Sequence, residues 1–281
     1  MPFFKGKVLS EITPGLVAEY RMKRLQDTSR TGKAPTRSTL HKEIVCLRQI
    51  LKTACSHGWL QHVPNLSSPY KANGKIGHRA WFSKEEYKLL FEATRRRAEK
   101  PLNNRHRWAC EQLHDYVLFM ANTGLRPDEA RRLEYRDVSV VKDADTKETI
   151  LEIEVRGKRG VGWCKSMPAA VIPFQRLKER NQPKPTDKVF PGKPRELLNT
   201  ILDELDLKFD RDGNPRTAYS LRHSYICFRL MDGADVYQVA KNCRTSVEMI
   251  EKHYAVHIKN MLDAASINVR KSKPRTKKIA A

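Results

Sequence analysis

The 281-residue sequence predicts a mainly α protein with a small antiparallel β-sheet. Two observations carry that prediction. Apolar residues recur at three- and four-residue steps through most of the chain, the period of a helix with one buried face. In one stretch only, Leu151, Ile153 and Val155 alternate with Glu152 and Glu154, the period of a half-buried strand. Along the chain, residues 1–66 read as a small helical domain, 67–81 as a linker, 82–257 as a larger domain and 258–281 as a further helix with a basic tail.

Each element has its own signal. Thr13-Pro14 places an N-cap and a proline at the first helical position, opening a basic helix through about Leu25. "DTSRTGKAPTRS" is a polar loop. Leu40, Ile44, Leu47, Leu51 and Ala54 then mark a helix over about 38–57, ended by Gly58. "HVPNLSSPYKANGKIGHR" is rich in turn formers and reads as the linker. Ser83 and Glu86 form a capping box for the next helix, and a longer one runs over about 106–122. Thr123-Gly124 break it and Pro127 starts a short helix. The strand around Ile153 turns at Gly157 and Gly160 into a second strand through about 166, giving a hairpin. Five helices are predicted after it, over about 169–180, 195–206, 217–231, 235–242 and 246–256. In the last, Val247, Ile250 and Tyr254 share one face, and Thr245 with Glu248 supplies a T-x-x-E cap.

Charge narrows the function. Fifty-four Lys and Arg oppose 32 Asp and Glu, a formal net charge of +22. Residues 1–75 alone hold 13 basic and four acidic side chains. Such an excess points to a polyanionic partner, most often nucleic acid. No apolar run approaches the roughly 20 residues that span a bilayer, and the N-terminal stretch lacks the apolar core of a signal peptide. The expected setting is the cytoplasm, associated with DNA and away from membranes. Six scattered cysteines without C-x-x-C spacing predict reduced thiols, and no metal or other cofactor is expected.

Four separated segments carry candidate chemistry: "TGLRPDEARRL", "VRGKRGVGW", "YSLRHSY" and "TSVEMIEKHY". Singly, each has an ordinary structural reading. Arg126 is a charge at a helix start, Lys158 one of several basic residues in a turn, and Tyr254 a core residue. Arg222 and His223 are surface groups on a helix whose apolar face is Leu221, Ile226 and Leu230.

Taken in order, the segments resemble the tyrosine recombinases, the phage-integrase family: T-G-L-R-x-x-E, a lysine in a β-hairpin, x-x-L-R-H, and a tyrosine 32 residues after the second arginine. The resemblance spans about 82–257 for the catalytic domain, and the basic helical region before it is similar to that family's core-binding domain. It implies a site-specific DNA recombinase that cleaves and rejoins strands through a 3′-phosphotyrosyl intermediate. Double-stranded DNA would be the partner, and a homotetramer on two DNA sites the assembly. Arg126 and Arg222 match the paired arginines, Lys158 the general acid and Tyr254 the nucleophile, while Glu129 and His223 match supporting positions. Guanidinium groups suit the charge that builds on a phosphodiester under attack, because they bind bidentately and stay protonated. Two positions depart from the pattern. Tyr219 stands where histidine is common, and Thr245 where histidine or tryptophan is usual. These departures keep one alternative in view, a non-catalytic DNA-binding relative or regulator; a second, a type IB topoisomerase, shares the Arg-Lys-Tyr chemistry. The stretch before the first helix is short for the extra arm-binding domain of many integrases.

Overall fold

The computed structural model describes residues 2–28, 32–67, 79–157, 160–192 and 194–254. It divides into two compact units, Met1–Lys75 and Ile76–Ala281.

In the first unit, short 3₁₀ turns at Pro2–Phe4 and Leu9–Glu11 precede α1 (Pro14–Gln26) and α2 (Arg37–Ser56). Thr13 caps α1 by accepting the Leu16 N–H. All five residues of the α2 stripe are buried. Ile44, Leu47 and Leu51 close on Ile12, Val17, Tyr20 and Leu66, so two helices share one small core. Tyr20 donates to Glu43 (2.8 Å), and burial together with that carboxylate pushes its phenol up to about 12. Most of the linker expected at 67–81 lies outside the described residues.

The second unit comprises α3 (Lys84–Glu99), α4 (Arg107–Thr123), α5 (Pro127–Arg132), β1 (Val138–Lys142), β2 (Thr149–Gly157) and β3 (Gly160–Lys165). It continues with α6 (Val171–Asn181), α7 (Arg195–Glu204), α8 (Ala218–Met231), α9 (Val236–Asn242) and α10 (Val247–Tyr254). The sheet is antiparallel in the order β1-β2-β3, and Ile153 pairs with both Val138 and Cys164. The expected hairpin is present; β1 is a third strand that the sequence did not predict. Its five residues turn a single buried side chain, Val138, inward, so "VSVVK" shows little alternation. Among the described residues no helix is long and apolar enough to cross a membrane.

α4 is the axis of this unit. Leu113, Val117, Phe119 and Met120 meet Leu151, Ile153 and Val155 of β2 in one core that extends to α6, α7 and Leu221. Asp115, buried within α4, accepts from Arg176 Nε and Arg180 Nη1, each at 2.8 Å, which ties α6 to it. A second core joins α8, α9 and α10 through Tyr225, Ile226, Leu230, Val239, Ile250 and Tyr254. α8 therefore belongs to both cores, with Leu221 in the first and Tyr225 onward in the second. Its start is held by Arg216, whose guanidinium grips both Glu86 oxygens (2.7 and 2.8 Å) and the Trp81 carbonyl (2.9 Å).

Candidate active site

Three helix ends build the site. α4 stops at Gly124, which adopts a left-handed φ of 64°. Two residues on, Arg126 is the N-cap of α5, and Pro127 occupies the first helical position. Glu129 reaches back to accept the Arg126 N–H (2.7 Å) and its Nη1 (2.7 Å). Burial opposes the charge on Glu129, but bonds from Arg244 and Arg126 outweigh it and hold the carboxyl below the usual range.

Arg222 and His223 are not surface groups. They are 3% and 9% exposed, which overturns the ordinary reading of "LRH". Arg222 is tolerated inside because its fork meets orphan acceptors. Nη1 donates to the Gly124 carbonyl (2.5 Å) and Nη2 to the Cys243 carbonyl (2.6 Å). These are the C-caps of α4 and α9, where helix carbonyls lack intrahelical partners and the dipole favours a cation. Arg126 Nη2 donates to the next carbonyl of the same turn, Arg244 (2.8 Å). Both arginines thus clasp the end of α9.

That turn is a Schellman closure. The Arg244 N–H bonds the Lys241 carbonyl (3.0 Å) and the Thr245 N–H bonds the Ala240 carbonyl (2.9 Å), with Arg244 left-handed at φ 50°. The cap predicted from Thr245 and Glu248 is therefore displaced by one residue. Thr245 still belongs to the end of α9, and Ser246 caps α10 by accepting the Met249 N–H at 3.3 Å.

Tyr254 comes last. Its ring lies in the second core, at 7% exposure, as its place on the α10 stripe predicts. Its hydroxyl lies 2.5 Å from His223 Nδ1. Tyr219, 41% exposed one helical turn earlier, sets its ring 5.4 Å from the imidazole. Burial pushes the Tyr254 phenol above its ordinary value, and the charges of Arg222 and Arg79 offset only part of that.

Arg126, Tyr219, Arg222, His223, Thr245 and Tyr254 line one pocket of about 440 Å³. Glu129 stands behind it and holds Arg126. Lys158 lies outside the described residues; β2 and β3 are described up to the paired Gly157 and Gly160.

No protein-family model matches the chain, and no curated protein matches it. Solved structures do. A XerH site-specific recombinase bound to difH substrate in a pre-cleavage complex aligns at TM-score 0.60 and 15% identity, over 89% of this chain and 70% of that one. The Tn1549 transposon integrase with circular intermediate DNA aligns at 0.60 and 13%, over 93% and 86%. A lambda integrase dimer bound to a COC′ core site aligns at 0.51 and 15%, over 94% and 68%. The chain has the tyrosine-recombinase fold.

Within that fold, three residues complete the setting that sequence reasoning missed. Arg244 pairs with Glu129 and lies over β3, where a Cβ at Gly162 would stand 2.9 Å from Arg244 Cδ. Asn242 accepts the Lys165 N–H (2.8 Å) and donates to its carbonyl (3.0 Å), fastening the edge strand to the end of α9. Arg79, from the stretch read as linker, lines the pocket. Only Arg244 left a trace in the sequence: an arginine at a helix end where the turn calls for glycine.

Proposed function

We propose that this chain is a site-specific DNA recombinase that cleaves and rejoins DNA through a 3′-phosphotyrosyl bond at Tyr254. The observation that carries the reading is the meeting of Arg126, Arg222 and Tyr254, from three separate segments, in one pocket. Two of the five N–H donors of each guanidinium are fixed on backbone or on Glu129, which presets the orientation of the rest toward a phosphate. Held this way, the two cations stabilise the charge that develops on the non-bridging oxygens as the phenol attacks. The leaving 5′-oxygen takes its proton from Lys158, a role supported by the family resemblance of its segment. The phosphotyrosyl bond keeps the energy of the diester, so rejoining needs no nucleotide and no metal.

In this reading 82–257 is the catalytic domain, and the basic residues of the first 66 form a second DNA-binding face. The protein works as a homotetramer on two duplex sites inside the cell, and its affinity falls steeply as salt rises. DNA-bound recombinases and integrases among the structural neighbours support this reading. A suicide duplex, nicked near the cleavage point so that the released fragment is lost, tests it. Wild type should accumulate a covalent DNA adduct, and Tyr254→Phe should bind the same duplex without one. Folded, DNA-bound wild type that forms no adduct on any duplex would refute it.

A further inference from the structure

We propose that His223 is the catalytic group that accepts the Tyr254 proton. The proposal rests on the recombinase reading and adds to it the proton acceptor.

The geometry is direct. His223 Nδ1 stands 2.5 Å from the Tyr254 hydroxyl, with ring centroids 5.5 Å apart and the planes inclined at 51°. Both side chains are buried apart from the face they turn to the pocket, and there they touch each other. Burial also keeps the phenol protonated at rest, so attack on phosphorus requires an acceptor in contact with the hydroxyl. The titratable and charged side chains around the same pocket are Arg79, Arg126, Tyr219, Arg222, His253 and Tyr254. Arginines do not accept protons at neutral pH, and they hold their own anchors. Tyr219 is a phenol and a poor base there. His253 follows the helix stripe of Met249 rather than that of Ile250 and Tyr254, and the imidazole that touches the hydroxyl is that of His223.

In the forward step the Tyr254 Oη–phosphorus bond forms and the phosphorus–O5′ bond breaks. The Oη proton passes to Nδ1 of a neutral imidazole carrying its hydrogen on Nε2, and the departing 5′-oxygen is protonated by Lys158. On rejoining, the incoming 5′-hydroxyl gives its proton to Lys158, and the imidazolium returns its own to Tyr254. Arg222, the preceding residue, lines the same pocket as Tyr254, so a phosphodiester bound there and the attacking phenol would face its cation together.

The experiment is single-turnover cleavage of a nicked duplex obtained by covalent trapping with wild-type protein from a randomised pool, followed against pH. The wild-type rate should rise through the titration of an imidazole and then level. His223→Asn retains an acceptor for the phenol but takes no proton. At neutral pH it should cleave about 10²–10⁴-fold more slowly, with DNA binding unchanged and with a rate that keeps climbing as pH rises. A fluorinated tyrosine at 254, with a more acidic phenol, should restore a larger share of activity to the variant than it adds to wild type. A variant slowed by one constant factor at every pH, and not rescued by fluorination, would overturn the proposal. Wild-type speed in the variant would do so as well. If His223→Asn does not fold, the fluorinated but otherwise unaltered chain still decides the matter. Its acid limb should stay where it is in wild type, whereas a limb that moves with the phenol would make Tyr254 itself the titrating group. A wild type that traps no duplex at all would remove the recombinase reading, and this proposal with it.

Discussion

Gly124→Ala probes the joint on which the site is hung. Gly124 closes α4 at φ 64°, and its carbonyl holds Arg222. A side chain in the left-handed region costs roughly 1–2 kcal/mol. The methyl group also has no room. It would lie 2.7 Å from Tyr225 Cε1, closer still to Cδ1, and 3.1 Å from Cys243 Sγ. The Tyr225 ring is buried, and Asn242, which also pairs with Lys165, donates to its hydroxyl at 3.1 Å. The ring therefore cannot retreat without loosening the edge strand. Overpacking of this kind costs about 1–3 kcal/mol, giving roughly 2–5 kcal/mol in all.

Gly233→Ala is the matched control. Gly233 follows α8 at φ 87°, and a Cβ there meets no atom within 4 Å, so it carries the backbone cost alone. Both positions lie in the second unit, so any transition of the first is common to both variants. Urea unfolding should place the Gly124→Ala midpoint below that of Gly233→Ala by the steric difference, about 1–3 kcal/mol divided by the m-value. Equal losses in the two variants would refute the argument that close approach, rather than backbone conformation, requires glycine at 124.

Other outcomes follow from the same structure. Because Glu129 is held below its ordinary value, its contribution to stability is present above about pH 4.3 and fades as pH falls through the folded value. The stability gap between wild type and Glu129→Gln, measured by denaturation at a series of pH values, should therefore narrow in acid. Ser246→Ala should lose about 1 kcal/mol by the same measurement, while Thr245→Ala leaves the α10 cap intact. Burial pushes the thiols of Cys164 and Cys227 up to about 12, whereas Cys46 is exposed. An aromatic disulfide reagent should modify Cys46 in the native protein and reach Cys110, Cys164, Cys227 and Cys243 only on unfolding.

What the sequence made legible, and what it hid, divides by the range of the physics involved. The α2 stripe, the Thr13 and Ser83 caps, and the alternation around Ile153 are local patterns, and each element stands where its pattern lies. β1 escaped because five residues with one buried side chain hold too little periodicity. The order of the segments singled out Arg126, Arg222 and Tyr254, which line one pocket, but it gave no sign of the burial of Arg222. Its acceptors lie 98 and 21 residues away, and no window around "LRH" contains the end of α4. The misplaced cap is the instructive error. Thr245 and Ser246 both have side chains suited to capping, and the three-residue spacing to Glu248 favoured Thr245. The choice was made upstream, by a turn that consumes the Thr245 N–H in closing α9 and leaves the next residue to open α10. The same turn presents the Cys243 and Arg244 carbonyls to the two arginines, so the register of the cap and the placement of the guanidinium pair are fixed by a single left-handed residue, Arg244.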